Sequence, residues 1–318
     1  MYSWSLPISR GILFSMLSRH EHNGLVWIDL ESPSRDEVQD LIDRFHIAPL
    51  VADELLLPST KPRAELADTY LYLVFHFPAL RHSHRTREQE VDFVVGHNFV
   101  ITAHYDTVDP LHKFSKVFDV NAVLDKSPIG DHAGHLFFAM LKKLYKAVEH
   151  EVEFVRHDIS IIEEHIFAGH EVKMVTAISR VSRDLLNLLQ VVEPHRDILR
   201  QLETDGAKFF GADFSPYLRA LSDEYYRVHN HITRSNDFIH ELRATNDSLL
   251  TTKQNEVMKT LTVITAVAAP LALIAGLFGI SSQFVPIINT HQGFWFVLGL
   301  MTLIAGAIVW VFKRENWL

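Results

Sequence analysis

The chain has 318 residues, 47% of them hydrophobic and 22% charged, with 30 Lys and Arg against 39 Asp and Glu for a net charge of −9. This composition excludes a disordered chain, and the acidic balance excludes a duplex-DNA binder, which needs a basic face, so no nucleic-acid partner is expected. The absence of cysteine excludes disulfide scaffolds, thiolate metal sites and cysteine nucleophiles.

At ~150 residues per domain the length predicts two units. The short apolar run from Gly11 to Leu17 has no basic stretch ahead of Arg10 and no cleavage pattern, so no signal peptide is expected. GLVWIDL at 24–30 reads as a buried strand. Ser34 with Glu37 three residues on opens a helix through a capping box, and Val38, Leu41, Ile42 and Phe45 recur at helical spacing. A short helix is predicted from Leu50 to Leu57, stopping before Pro58. YLYLVFHF at 70–77 reads as a strand, and the segments 90–96 and 98–105 flank His97 as a hairpin. Residues 1–130 are thus expected to form an α/β domain. From Asp131 long helices take over: Gly134 to Phe167, then Glu171 to Leu202 with Pro194 its sole breaker. They form a helical layer over 131–212.

A stalk helix and first apolar span follow at 213–280, about 100 Å of helix at ~1.5 Å per residue. Leu221, Tyr225, Val228, Ile232, Ser235, Ile239, Leu242, Asn246 and Leu249 form a heptad seam with two polar insertions. Such insertions tend to set register and oligomer number. A helix this long needs neighbours, which suggests a bundle around a symmetry axis. A second stripe, Ala244, Ser248, Thr251, Asn255, Thr262 and Thr265, is small or polar. Its periodicity fits close helix packing and the wall of a wet pore equally well.

From Thr260 to Phe312 there is no Asp, Glu, Lys or Arg. Thr260–Ile280 and Phe294–Phe312 each match the ~20 residues that cross a bilayer as helix. Lys253 and Lys259 precede the first span, Lys313 and Arg314 follow the second in a basic tail at 313–318, and the loop at 281–293 has no Lys or Arg. Both termini are therefore expected in the cytoplasm of a bacterial-type inner (plasma) membrane. Gly299 and Gly306, seven apart on the second span, suit packing against a neighbouring helix.

The segment from Asn255 to the end resembles the CorA superfamily of divalent-cation transporters. The resembling residues are Asn255-Glu256-Val-Met-Lys259, Leu261-Thr262, Pro270, Ile274-Ala-Gly-Leu-Phe-Gly279, Pro286, Gly293-Phe294 and Trp317-Leu318. VWIDL (26–30), Pro33, Pro49-Leu50, Asp53-Glu54, PRAE (62–65) and NFVITAH (98–104) extend the likeness over most of the chain. The resemblance implies a funnel-shaped homopentamer in the lipid bilayer. Each chain would pair an αβα sandwich and a helical layer with a stalk helix and two transmembrane helices, an α+β class. It also implies a pore with Asn255 in a cytoplasmic-side polar ring, Leu261 in an apolar constriction, and Ala269, Ala272 and Ser281 following outward. As residues, five leucines suit either a dewetting gate or ordinary heptad packing. The family signature at the outer mouth is Gly-Met-Asn, where this chain has Gly279-Ile280-Ser281. Serine is shorter than asparagine and has a smaller dipole. Ile287 stands where magnesium-type members carry an acid, so the loop is neutral, as in the zinc-transporting ZntB branch.

Histidine is abundant, at 20 residues. Candidate metal groups are His150, His157 and Glu164, with Glu153 on the same side; Asp131, His132 and His135; and His229, His231 and His240. His82 and His84 sit in a basic loop. None has the tight spacing of a dedicated zinc motif, and each is also readable as solvated helix-face histidine. His291, in the outer loop, suits proton sensing or transient metal contact. No nucleotide-binding or hydrolase motif is present, so no enzyme and no resident cofactor is expected. The expected function is transport of a divalent cation, zinc ahead of magnesium, cobalt and nickel. The competing reading is a membrane metal sensor or scaffold of the same family that does not conduct.

Overall fold

The computed structural model describes residues 16–78, 88–123, 132–279 and 293–315. Two compact units divide the chain: Met1–His165 with Thr176–Leu242, and Ile166–Val175 with Arg243–Leu318. The α/β segment and most of the helical layer share the first.

That first unit is built on a six-stranded sheet. In chain order its elements are β1 (Met16–His22), β2 (Leu25–Glu31), α1 (Arg35–Phe45), α2 (Pro49–Glu54), β3 (Arg63–Leu66), β4 (Leu71–Pro78), β5 (Glu88–Val95), β6 (Phe99–His104) and α3 (Asp109–Val123). The spatial order is β1-β2-β6-β5-β4-β3. Only the β2–β6 pair is parallel, its crossover carrying α1 and α2. Asn23 and Gly24, both at positive φ, make the β1–β2 turn, as a two-residue hairpin requires. The hairpin expected around His97 is β5 and β6, paired from Val91↔His104 to Val95↔Val100. The capping box forms as read: Glu37 N–H donates to Ser34 Oγ and Ser34 N–H to Glu37 Oε2. The second short helix ends at Glu54 rather than Leu57, because the chain turns after Leu55.

Strand β4 is buried along its whole length and β6 likewise. Both sheet faces are therefore covered, as in an αβα sandwich. On one face α1 and α2 bury Val38, Leu41, Val51 and Leu55 against Ile28, Tyr72, Val74, Val94 and Ile101. On the other, Phe114 and Phe118 of α3 pack on Trp27. Phe137 and Tyr145 of α4 (Ala133–Phe167) reach Phe93 and Phe77.

The helical stretch expected over 171–202 is two helices, α5 (Glu171–Val192) and α6 (His195–Phe210). Pro194 has no N–H to continue α5, so the chain breaks there and restarts with Pro194 as the cap of α6. After a short 3₁₀ turn, α7 runs from Ser215 to Gly279, 65 residues or about 98 Å, straight through Pro270. Finally, α8 spans Gly293–Arg314.

Candidate functional site

Helix α7 is buried along one face as far as Asn246 and is exposed almost all round beyond it. Leu221, Tyr225, Val228, Ile232, Ser235, Ile239, Leu242 and Asn246 are all buried. The chain's own helices cover the first part of this seam: Tyr145 of α4 meets Tyr225, Glu149 of α4 pairs with Arg227, and Glu203 of α6 accepts from Ser222. The heptad seam is therefore an intrachain seam and not an oligomer contact, which corrects the expectation. Its periodicity is that of any helix buried along one side, so it cannot tell an own-chain neighbour from a foreign one.

The small and polar stripe, most of which lies beyond the buried seam, stays exposed. Ala244, Ser248, Thr251, Asn255, Thr262, Thr265, Ala269, Ala272 and Gly279 are all solvent-accessible, and Leu261 is 54% exposed beside them. At 100° per residue these stripe positions lie within about 140° of arc. Thr262 Oγ1 donates to Met258 O at 2.8 Å and Thr265 Oγ1 to Leu261 O at 2.8 Å. Thr251 and Thr260 do the same to Asp247 O and Glu256 O. Each hydroxyl proton is thus spent on the helix, and the oxygen lone pairs face outward. Ile280, Ser281, His291 and Asp131 lie outside the described residues.

Both α7 and α8 are long and apolar enough to cross a membrane, and these apolar stretches are almost wholly unburied within the chain. A Cβ at Gly299 or Gly306 would meet nothing within 4 Å. Whatever packs there belongs to no described residue of the same chain. Arg314 lies over the Trp310 ring at 5.7 Å, at the end of α8.

The histidine groups do not assemble. Among the described residues no three His, Asp or Glu side chains come together as metal ligands. His150 pairs with Glu153 at 3.2 Å, while seven residues of helix, about 10 Å, separate it from His157 and His157 from Glu164. His132 and His135 lie 4.2 Å apart, but His132 stacks on Phe210 and His135 meets Tyr217 edge-on. Their role there is aromatic packing. His231 faces Glu149 at 4.0 Å, and His229 packs beside Tyr225.

Three polar arrangements were not anticipated. Lys253 of α7 donates to Glu171 Oε2 at 2.6 Å and to Gly169 O at 3.2 Å, tying the α4–α5 turn to the stalk. The Lys253 hydrogen bond, with Glu171's own backbone N–H, holds the Glu171 carboxyl below the usual carboxylate range. His195, at the start of α6, is wholly buried; its Nε2–H donates to His76 O at 2.8 Å, and its Nδ1 accepts from Tyr145 Oη at 3.0 Å. Burial lowers its pKa to about 4. At one end of the sheet, His76, Glu90 and Asp92 sit buried in β4 and β5. Glu90 accepts the Ser59 N–H at 2.7 Å and pairs with His76 Nε2 at 3.1 Å. Burial works against a charged His76, yet the Glu90 hydrogen bond carries its pKa above the ordinary value. Burial, then the Glu90 charge, pushes the Asp92 carboxyl well above the usual carboxylate range. The signal for this cluster was in the sequence: three ionisable residues inside strands that otherwise read as buried.

The family model for the CorA-like Mg2+ transporter protein matches residues 22–314. The chain belongs to this family. Members of this CorA family carry divalent metal cations across membranes and are not enzymes. The chain is 25% identical over 309 residues to a cobalt/magnesium transport protein CorA of Thermotoga maritima, covering 96% of this chain and 86% of that one. Its fold matches the complete structure of the CorA magnesium transporter from Methanocaldococcus jannaschii at a TM-score of 0.80 and 20% identity, covering 92% of each chain. A weaker match, TM-score 0.53 at 12% identity, joins 73% of this chain to 88% of the ZntB cytoplasmic domain from Vibrio parahaemolyticus. The expected fold class holds: an α+β sandwich, a long stalk helix and a second C-terminal apolar helix.

Proposed function

We propose that five copies of this chain assemble with their α7 stripes facing a common axis, and that divalent cations cross an inner membrane along that axis. The observation that carries this reading is that α7 is buried by its own chain only as far as Asn246, Val263 apart, while small and hydroxyl residues recur along one exposed side from Ala244 to Gly279. Beyond Asn246 the helix has almost no neighbour in its own chain, so copies of itself and lipid must cover it, and the small and hydroxyl side is the one that lipid suits least. Asn255 would form a polar ring, Leu261 an apolar constriction, and Thr262 and Thr265 the wall beyond it. Pro270 supports this assignment: it lacks the N–H that would bond Ala266 O, so one carbonyl on the stripe side is free of its helical partner. Residues 1–212 would lie in the cytoplasm with both termini, 281–293 would face outward, and 313–318 would return as a basic tail.

For the cargo, the neutral loop favours zinc. From Ser281 to Gly293 no carboxylate is available to gather cations, and Ser281 replaces an amide by a shorter, weaker dipole. Magnesium holds its water shell tightly and loses most by such changes. The second reading, magnesium or cobalt, is favoured by the names of the relatives. Reconstituted pentamers assayed for uptake of zinc, magnesium, cobalt and nickel, with and without a pH gradient, separate the two. Zinc flux with little magnesium flux supports the first and the reverse supports the second. No flux of any ion from intact pentamers would replace transport by the sensor reading.

A further inference from the structure

Two large apolar side chains stand open at the turn between α4 and α5. Phe167, the last residue of α4, is 68% exposed, and Val172, the second residue of α5, is 75% exposed. Single exposed apolar residues are ordinary on a protein surface. These two are as bare as Phe294, Trp295 and Leu303 of the apolar helix α8, at 67%, 69% and 69%. Among the described residues outside α7 and α8, only Leu50 and Leu57 also reach that level.

Local structure holds both residues at the tip. Gly169, at φ +88°, ends α4, and its N–H donates to Ile166 O at 3.1 Å. His170 O then accepts the Lys173 N–H at 3.1 Å as α5 begins. The turn is Ala168, Gly169 and His170, with Phe167 close on one side and Val172 close on the other. Glu171 is buried and takes a hydrogen bond from Lys253 of α7 at 2.6 Å. The same ammonium donates to Gly169 O at 3.2 Å. The tip and α7 from Arg243 onward belong to one compact unit, so these two bonds set the height of the tip on α7.

That height names the partner. Lys253 stands seven residues, about 10 Å of helix, before Thr260, where the charge-free stretch begins. The headgroup layer takes up about 5–7 Å on each side of the hydrocarbon, and the length of a phenylalanine side chain covers the rest. Apolar side chains at this level bury themselves at the boundary of headgroups and acyl chains. We propose that the α4–α5 tip docks on the cytoplasmic surface of the bilayer, with Phe167 and Val172 entering the headgroup layer and Lys253 holding the tip to α7. The inference rests on the topology proposed above, with α7 entering the membrane at Thr260. The bilayer is favoured over a second copy of the chain because α7 itself fixes where the bilayer lies relative to the tip.

The absence of cysteine gives a clean local probe. Ala168→Cys, at an exposed position between the two apolar residues, is labelled with an environment-sensitive fluorophore in the full-length protein, in nanodiscs of phosphatidylcholine and phosphatidylglycerol. Thr260→Cys, labelled separately, is the reference for the entry of α7. Each is compared in discs whose lipids carry a nitroxide quencher on the headgroup or midway along the acyl chain. The headgroup quencher should act on the Ala168 label more strongly than the acyl one. Phe167→Ser combined with Val172→Ser should at least halve that quenching and leave the Thr260 reference unchanged; both positions are exposed, so the fold tolerates the pair. Quenching unchanged by the pair overturns the proposal, since the tip would then lie near lipid without docking through these residues. So does an apolar emission spectrum at Ala168 without lipid quenching, which assigns the tip to a second copy. A water-like spectrum without quenching, while the Thr260 reference is quenched, overturns the docking alone. Loss of quenching at both labels overturns the membrane entry at Thr260 and the docking with it.

Discussion

His195 offers the sharpest test of how the helical layer is fastened to the sheet. The ring sits between Phe75 and Phe77 at 5.0 and 5.1 Å, with both nitrogens engaged. His195→Leu keeps much of the volume but strands the Tyr145 hydroxyl and one lone pair of the His76 carbonyl in a dry site. At about 1–3 kcal/mol per orphaned buried group, the loss for the two should be about 2–6 kcal/mol. Tyr145→Phe in the same background removes one of the two orphans, so the double variant should be less destabilised than the sum of the singles, by about 1–2 kcal/mol. The pH dependence is a second, independent reading. Folding lowers the His195 pKa from the ordinary 6.5 to about 4. Between those values the unfolded chain binds the extra proton, so stability is full above pH 6.5 and falls as pH drops towards 4. The contribution lost is about 3 kcal/mol at 1.36 kcal/mol per pKa unit. Chemical denaturation of the full chain in micelles, followed by near-ultraviolet circular dichroism at several pH values, measures both. A Leu variant within about 0.5 kcal/mol of the native chain at pH 7.5, or one losing stability in parallel with it down to pH 4, would refute the reasoning.

Other changes probe other joints. Lys253→Ala should free the α4–α5 turn, raising amide exchange across 169–173 about tenfold, and the native link should weaken as pH falls through the lowered Glu171 pKa; unchanged exchange would mean that packing alone holds the turn. Ser34→Ala removes the N-cap of α1 and should cost about 1 kcal/mol, visible first as faster exchange in the first turn of that helix. In the proposed pore, Leu261→Ala should raise cation leak in liposomes, and unchanged flux would make Leu261 a packing residue. Thr262→Val with Thr265→Val preserves shape while removing lone pairs, so it should lower flux with the assembly intact; wild-type flux would assign the stripe to packing.

How much was legible follows from which interactions are local. The capping box at Ser34 and Glu37, the buried apolar strands and the charge-free stretch from Thr260 are written in neighbouring residues, and each appears where it was read. The α7 seam was legible as a face and illegible as an interface, because its partners Tyr145 and Glu149 lie about 80 positions away in the sequence. The histidine groups failed for a geometric reason. Spacing by seven returns a residue to the same face but about 10 Å along the axis, too far to share an ion. His195, bonded to a carbonyl 119 residues earlier, and Lys253, bonded 82 residues back, had no local signature.

The hydroxyls of α7 bear directly on what its exposed face is for. A threonine that donates to the carbonyl four residues back presents its neighbours with a methyl group and two lone pairs. The same bond forms off the stripe, at Thr252, Thr260 and Thr302, so it is the place of Thr251, Thr262 and Thr265 on one side and not the bond alone that gives their lone pairs a use. Against the water shell of a cation they are what is needed, since a hydrated cation turns its water protons outward. Thr251, Thr262 and Thr265 all adopt this arrangement on one stripe, and from Ala269 outward the stripe is lined by alanine and glycine. Small apolar residues leave width without offering ligands. A pathway built this way holds an ion through its water and strips it little, so discrimination falls to its narrowest polar ring and to the mouth. There Gly279 leads into Ile280-Ser281. If five serine hydroxyls replace five amides at that ring, ions that hold their water loosely gain over magnesium, and Ser281→Asn is the single change that should move the preference back.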